Sequence, residues 1–221
     1  YGLFFVSGAT ALIYEVAWTR VLNLVIGSST YAFTLMLATF LVGIALGSAL
    51  IRRYSAHRKP GLGLLALCQA LIGMLALGTA AMFGLLPDAF VSLFGAVGGN
   101  YGMFLLANFL LCFLVMVPAT LFMGASFPVA SALVVAHFGS SGQRIGLLYA
   151  GNTIGAILGA FLAGFVLLPM LGIQTTLILT IYVNLVCGLA LSLYILAKER
   201  AGKNILTPAL SVSVIFLFAL L

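Results

Sequence analysis

Long apolar runs separated by short polar or glycine-rich breaks organise this chain, and each run is too long for a strand. The first extends from about residue 2 to 26, where Gly27-Ser28-Ser29-Thr30 interrupts it, and the second from 31 to 51. A third covers 61–85, a fourth 101–123, a fifth 145–170 and a sixth 173–197, and a seventh begins at 205 and runs to 221. A helix needs about 20 apolar residues to cross the roughly 30 Å hydrocarbon core. The pattern therefore predicts an all-α fold, a polytopic transmembrane helix bundle of about seven spans forming a single domain over 1–221. Residues 101–138 are too long for one span, and they contain Pro118 and the group Gly124-Ala125-Ser126-Phe127-Pro128. Proline removes a helical hydrogen bond and kinks helices, so a break is expected there, with Pro128–Phe138 forming a half-helix after span four. The alternating signature of a membrane barrel is absent.

Composition agrees with this reading: 64% of residues are hydrophobic and 5% charged, with a mean hydropathy of +1.32. Soluble domains carry about 25% charged residues. The net charge of +6 does not point to nucleic acid, because eight of the nine basic residues sit in the loops 52–59, 137–144 and 198–203. The alternate loops 27–30, 86–100 and 171–172 contain no Lys or Arg. The positive-inside rule then places the basic loops and the N-terminus in the cytoplasm, in an inner membrane. Arg20, in the outer half of span one, must snorkel outward or find a partner. Tyr1 is not an initiator methionine and Leu221 falls within an apolar run, so the chain is expected to belong to a longer polypeptide.

Candidate chemistry is sparse. Glu15 lies near the middle of span one, where a carboxylate is costly unless protonated, paired or hydrated. It is either a titrating or cation-binding group or the partner in an ion pair or hydrogen bond that locks span one into the bundle. Gln69, Asn108, Asn152 and Asn184 place one amide in each of four other spans. Gln69 shares a helical stripe with Gly73, Ala76 and Ala80, and Asn152 with Gly155 and Gly159. Such stripes are helix seams with polar glue, or they converge with Tyr14, Tyr149 and Tyr182 on a hydrated cavity around Glu15. The candidate substrate-binding set is Glu15, Tyr14, Arg20, Gln69, Tyr149, Asn152 and Asn184. Gly151, Gly155 and Gly159, and Gly43 with Gly47, are candidate helix-packing faces. The similar spacing of Gly43/Gly47 and Gly155/Gly159 hints at internal repetition.

Gly61-Leu62-Gly63-Leu64-Leu65-Ala66 spells a dinucleotide fingerprint, but that motif needs a preceding strand, and here a basic loop precedes it. Cys68, Cys112 and Cys187 lie in apolar runs and predict neither disulfide nor zinc. Neither a cofactor, a metal site nor a catalytic residue is expected within the chain. The partners expected are the lipid bilayer, other membrane subunits or further copies of the chain, and a soluble domain following Leu221.

Three stretches carry a family resemblance: Ser7-Gly8-Ala9-Thr10-Ala11-Leu12-Ile13-Tyr14-Glu15-Val16-Ala17-Trp18-Thr19-Arg20 with Gly27-Ser28-Ser29-Thr30-Tyr31-Ala32-Phe33; Met123-Gly124-Ala125-Ser126-Phe127-Pro128; and Gly142-Gln143-Arg144 through Tyr149, Asn152 and Ala156. Together they resemble the membrane domain of bacterial spermidine-synthase-like fusion proteins, in which a multi-span domain precedes a soluble aminopropyltransferase-like domain. The resemblance implies a domain that anchors the enzyme and binds or moves a small, polyamine-type substrate, with any transferase chemistry in the absent soluble part. It matches recurring family positions at Glu15, Trp18, Arg20, Arg144, Tyr149 and Asn152. The competing expectations are a non-catalytic subunit of a larger membrane complex and a free-standing secondary transporter.

Overall fold

The computed structural model describes residues 2–97, 99–138 and 142–199. Every element among them is helical: α1 (Gly2–Ile26), α2 (Thr30–His57), α3 (Leu62–Met82) with a 3-10 turn at Phe83–Leu85, α4 (Leu86–Val97), α5 (Tyr101–Phe138), α6 (Gly142–Leu162), a π-helical stretch at Ala163–Leu167, and α7 (Leu168–Glu199). Local sequence accounts for the breaks. Gly27 has a positive φ of 92°, which glycine adopts without steric cost, and the Ser29 Oγ then accepts a hydrogen bond from the Ala32 amide at 3.1 Å to cap α2.

Among the described residues, five segments are long and apolar enough to cross a membrane, where the sequence predicts seven. The span expected at 205–221 lies outside the described residues. The expected spans five and six run together as one apolar segment, Gly142–Lys198, but Gly172 within it has a left-handed φ of 77° and divides it. Before that turn the chain packs on α1, and after it on α3. Five apolar segments thus fold as six rods.

The break expected in 101–138 does not occur. α5 is continuous through Pro118 and Pro128, so Pro128–Phe138 is its last turns and not a separate half-helix. The reason is visible at Gly124, whose carbonyl is the acceptor that the missing Pro128 N–H would have used. The Ser48 hydroxyl of α2 donates to that carbonyl instead, at 2.9 Å. A neighbouring helix can satisfy the group that proline orphans. At about 1.5 Å per residue, a 38-residue helix exceeds the hydrocarbon core.

Glycines set the packing. A Cβ on Gly155 would run into the backbone of Phe5, and one on Gly159 into that of Ala9, so α6 lies parallel to α1 at backbone contact. Gly43 meets Thr120 while Gly47 meets Leu121 and Ala125, so α2 lies parallel to α5. Gly73 meets Ile181 and Leu185 while Gly188 meets Ala66 and Ala70, an antiparallel crossing of α3 and α7.

These contacts form matched pairs. Gly8 abuts Asn152 as Gly124 abuts Ile44; Gly155 abuts Phe5 as Gly47 abuts Leu121; and the Gly73 and Gly188 contacts are mirror versions of one crossing. Exchanging α1, α2, α3 for α5, α6, α7 therefore maps each main interface onto another: α1–α6 onto α5–α2, α3–α5 onto α7–α1, and α3–α7 onto itself. Because short connections reverse direction from α1 to α2 and α2 to α3, while α5 runs with α2, the two triplets are inverted relative to each other. The described rods are two inverted three-helix repeats joined by α4. Gly8-Ala9-Thr10 and Gly124-Ala125-Ser126 are the trace of this repeat in sequence. Its register pairs Gly47 with Gly155 and Gly43 with Gly151, one helical turn away from the match suggested by glycine spacing alone.

Candidate functional site

A polar cluster is buried where α1, α3 and α7 meet, near the crossing that maps onto itself. α1 contributes Ser7, Thr10 and Tyr14, which share one face because they are spaced three and four residues apart. α3 contributes Gln69, 1% exposed, and α7 contributes Asn184, also 1% exposed. Both ends of the Asn184 amide have a partner: its Oδ1 lies 3.2 Å from Thr10 Oγ1, whose single hydroxyl proton is shared with the Ser7 carbonyl oxygen at 3.1 Å, and its Nδ2 donates one N–H to the Tyr14 hydroxyl oxygen at 3.2 Å. The Tyr14 ring stacks on Trp18, with centroids 5.1 Å apart and planes at 21°.

Gln69 is only half used. Its Nε2 donates to Ser7 Oγ at 3.4 Å, while its Oε1 is buried with no hydrogen-bond partner among the described residues. Gln69 and Asn184 occupy equivalent positions in the two repeats, each four residues before the glycine of the α3–α7 crossing. In one repeat both ends of the amide have a partner, and in the other the carbonyl has none among the described residues. Along α1, Trp18 Nε1 is also buried without an acceptor among the described residues.

The other predicted residues are placed differently. Glu15 is half-buried rather than buried, and none of the described residues donates a hydrogen bond or forms an ion pair to its carboxylate. The polar anchor of α1 is its neighbour Tyr14, fully buried. Arg20 is exposed near the end of α1. Tyr149 is 61% exposed, and its ring meets Phe127 edge-on at 6.0 Å, away from the cluster. Tyr182 is exposed as well, and Asn152 is half-buried with its backbone against Gly8. Tyr14, Gln69 and Asn184 are thus brought together, while Arg20, Tyr149 and Asn152 are not. Among the candidate packing glycines, Gly43, Gly47, Gly155 and Gly159 sit at interfaces, but a Cβ on Gly151 would meet nothing within 4 Å. Asn108 is buried in a separate cleft of about 220 Å³ between α2 and α5, lined also by Tyr31, Tyr101 and Phe104.

Sequence reading missed Ser7 and Thr10, whose spacing from Tyr14 was the available signal, and Ser48, which nothing in sequence ties to Pro128. The cluster is built of hydroxyls and amides, groups that act by hydrogen bonding. Among the described residues no group of three His, Cys, Asp or Glu could hold a metal.

No family model matches the chain, and no solved structure is significantly similar to it. Two curated relatives are. Polyamine aminopropyltransferase 2 of Streptomyces coelicolor is 29% identical over 200 residues, 90% of this chain and 34% of that protein. Polyamine aminopropyltransferase of Corynebacterium efficiens is 26% identical over 173 residues, 76% of this chain and 30% of that protein. The chain spans about a third of the length of these relatives. It is therefore similar, over most of its own length, to one part of proteins named polyamine aminopropyltransferases.

Proposed function

We propose that the chain is the membrane domain of a polyamine-aminopropyltransferase-like protein, which anchors that protein in the cytoplasmic membrane and binds or moves a small cationic amine of the polyamine type. The observation that carries this reading is the coincidence of coverage and chemistry. Nearly the whole chain matches about a third of such enzymes, and that third here is an apolar helix bundle. Aminopropyl transfer would belong to the remainder of such a protein.

Helix directions support the orientation. The end of α2 with Arg52, Arg53, Arg58 and Lys59, the start of α6 with Arg144, and the end of α7 with Lys198 fall on one side of the bundle, together with the start of α1. The positive-inside rule assigns that side to the cytoplasm. An inverted repeat with a polar site at its centre is also an architecture that secondary transporters use, which favours moving the amine over anchoring alone.

The test is a deletion in the full-length gene, expressed in cells lacking their own aminopropyltransferase. Removing the codons for residues 1–221 should release the product from carbonate-washed membranes and slow conversion of externally supplied 1,4-diaminobutane severalfold. Unchanged membrane retention and unchanged use of external diamine would contradict the proposal.

A further inference from the structure

The two repeats present equivalent amides to one another, and only one has a partner at both ends. Asn184 meets α1 through both its oxygen and its nitrogen, whereas Gln69 keeps a buried carbonyl oxygen with no donor among the described residues. A buried acceptor left unpaired is destabilising, and such groups in native proteins call for a specific explanation. The missing partner is a donor that fits beside Gln69 Oε1 and the neighbouring Ser7 Oγ.

We propose that Gln69, with Ser7, forms the ammonium-binding subsite of the membrane domain, its open Oε1 accepting a hydrogen bond from the –NH₃⁺ end of a primary amine. This inference rests on the function proposed above and names the residues that would read the substrate. A primary ammonium has three donors and no acceptor, which matches an acceptor left open beside a hydroxyl oxygen. Further along α1 the Tyr14 ring stacks on Trp18. No Lys or Arg belongs to the cluster, so nothing there repels a cation or holds an anion. Glu15 follows Tyr14 directly, and its carboxylate, free of partners among the described residues, is the nearest formal negative charge along α1.

The experiment measures binding of radiolabelled 1,4-diaminobutane to the purified full-length protein in nanodiscs, with unlabelled 1,4-butanediol as a neutral competitor of the same length. The wild type should bind the diamine, and the diol should not compete. Gln69→Met, close in shape but without the carbonyl, should weaken binding at least tenfold, while Asn108→Leu, in a separate cleft, should bind as wild type. Unchanged affinity in a Gln69→Met protein that elutes as a monodisperse peak would overturn the subsite and leave the proposed function standing. Effective competition by the diol would overturn the ammonium reading. Absence of diamine binding by the wild type would remove the proposed function, and the subsite with it. If Gln69→Met does not fold, the fluorescence difference between wild type and Trp18→Phe decides: diamine must change the Trp18 emission, and an unchanged spectrum at saturating diamine would place the amine elsewhere.

Discussion

The Ser48 hydroxyl donates to the Gly124 carbonyl at 2.9 Å, across the α2–α5 interface and at the position that Pro128 leaves without an intrahelical partner. The proline and the serine are therefore one unit. Ser48→Ala should destabilise the bundle by about 1–2 kcal/mol, the range for interhelical hydrogen bonds in membranes. Pro128→Ala restores an N–H for the same carbonyl, so the double variant should recover most of that loss. Thermal unfolding of the four proteins in detergent checks this, and strict additivity would show that the two residues are uncoupled.

Gly155 and Gly151 lie one turn apart but meet different surroundings. At Gly155 a methyl group must displace the Phe5 backbone, whereas at Gly151 it enters open space. Gly155→Ala should cost about 1–3 kcal/mol through overpacking, and Gly151→Ala should be neutral or slightly stabilising, since alanine favours helix by up to about 1 kcal/mol. Equal unfolding midpoints for the two variants would contradict the packing described here.

Tyr14→Phe removes only the oxygen that accepts from Asn184 Nδ2. It keeps the stack on Trp18, so the expected cost is small, about 0.6–2 kcal/mol. Asn184→Leu should cost more, because it also strips the Thr10 hydroxyl of its α7 acceptor. A Tyr14→Phe protein less stable than Asn184→Leu would reverse this ranking.

Glu15 separates structure from function. With no partner among the described residues, Glu15→Gln should leave stability within about 0.5 kcal/mol of wild type, as for substitutions away from specific contacts. If the carboxylate serves a cationic substrate, diamine binding should nonetheless fall severalfold. Loss of folding in Glu15→Gln would instead show a structural ion pair.

Much of the fold was legible from sequence because apolar length is a direct signal of helix. The starts and ends of α1 and α3 lie close to the expected spans, and Gly27 and Gly172 mark turns where glycine permits a left-handed backbone. What was not legible depends on partners. Pro128 reads as a break until Ser48 is placed beside it. Glu15 draws attention as the lone carboxylate of α1, yet the buried anchor is Tyr14, because a helix advances about 100° per residue and only one of two neighbours can face the same interface. The repeat was hidden because its halves share packing geometry and only short fragments of sequence, such as Gly8-Ala9-Thr10 and Gly124-Ala125-Ser126.

That the bundle is a membrane-embedded inverted repeat is tested most directly by side-specific labelling of single cysteines at Ser28, Ser55 and Gly99, with native cysteines replaced, in the full-length protein in intact cells. A membrane-impermeant maleimide should react with the cysteines at positions 28 and 99 from outside, and with that at 55 only after the cells are opened. Labelling of positions 28 and 55 from the same side would contradict the crossing of α2, and with it the inverted arrangement of the two halves in the membrane.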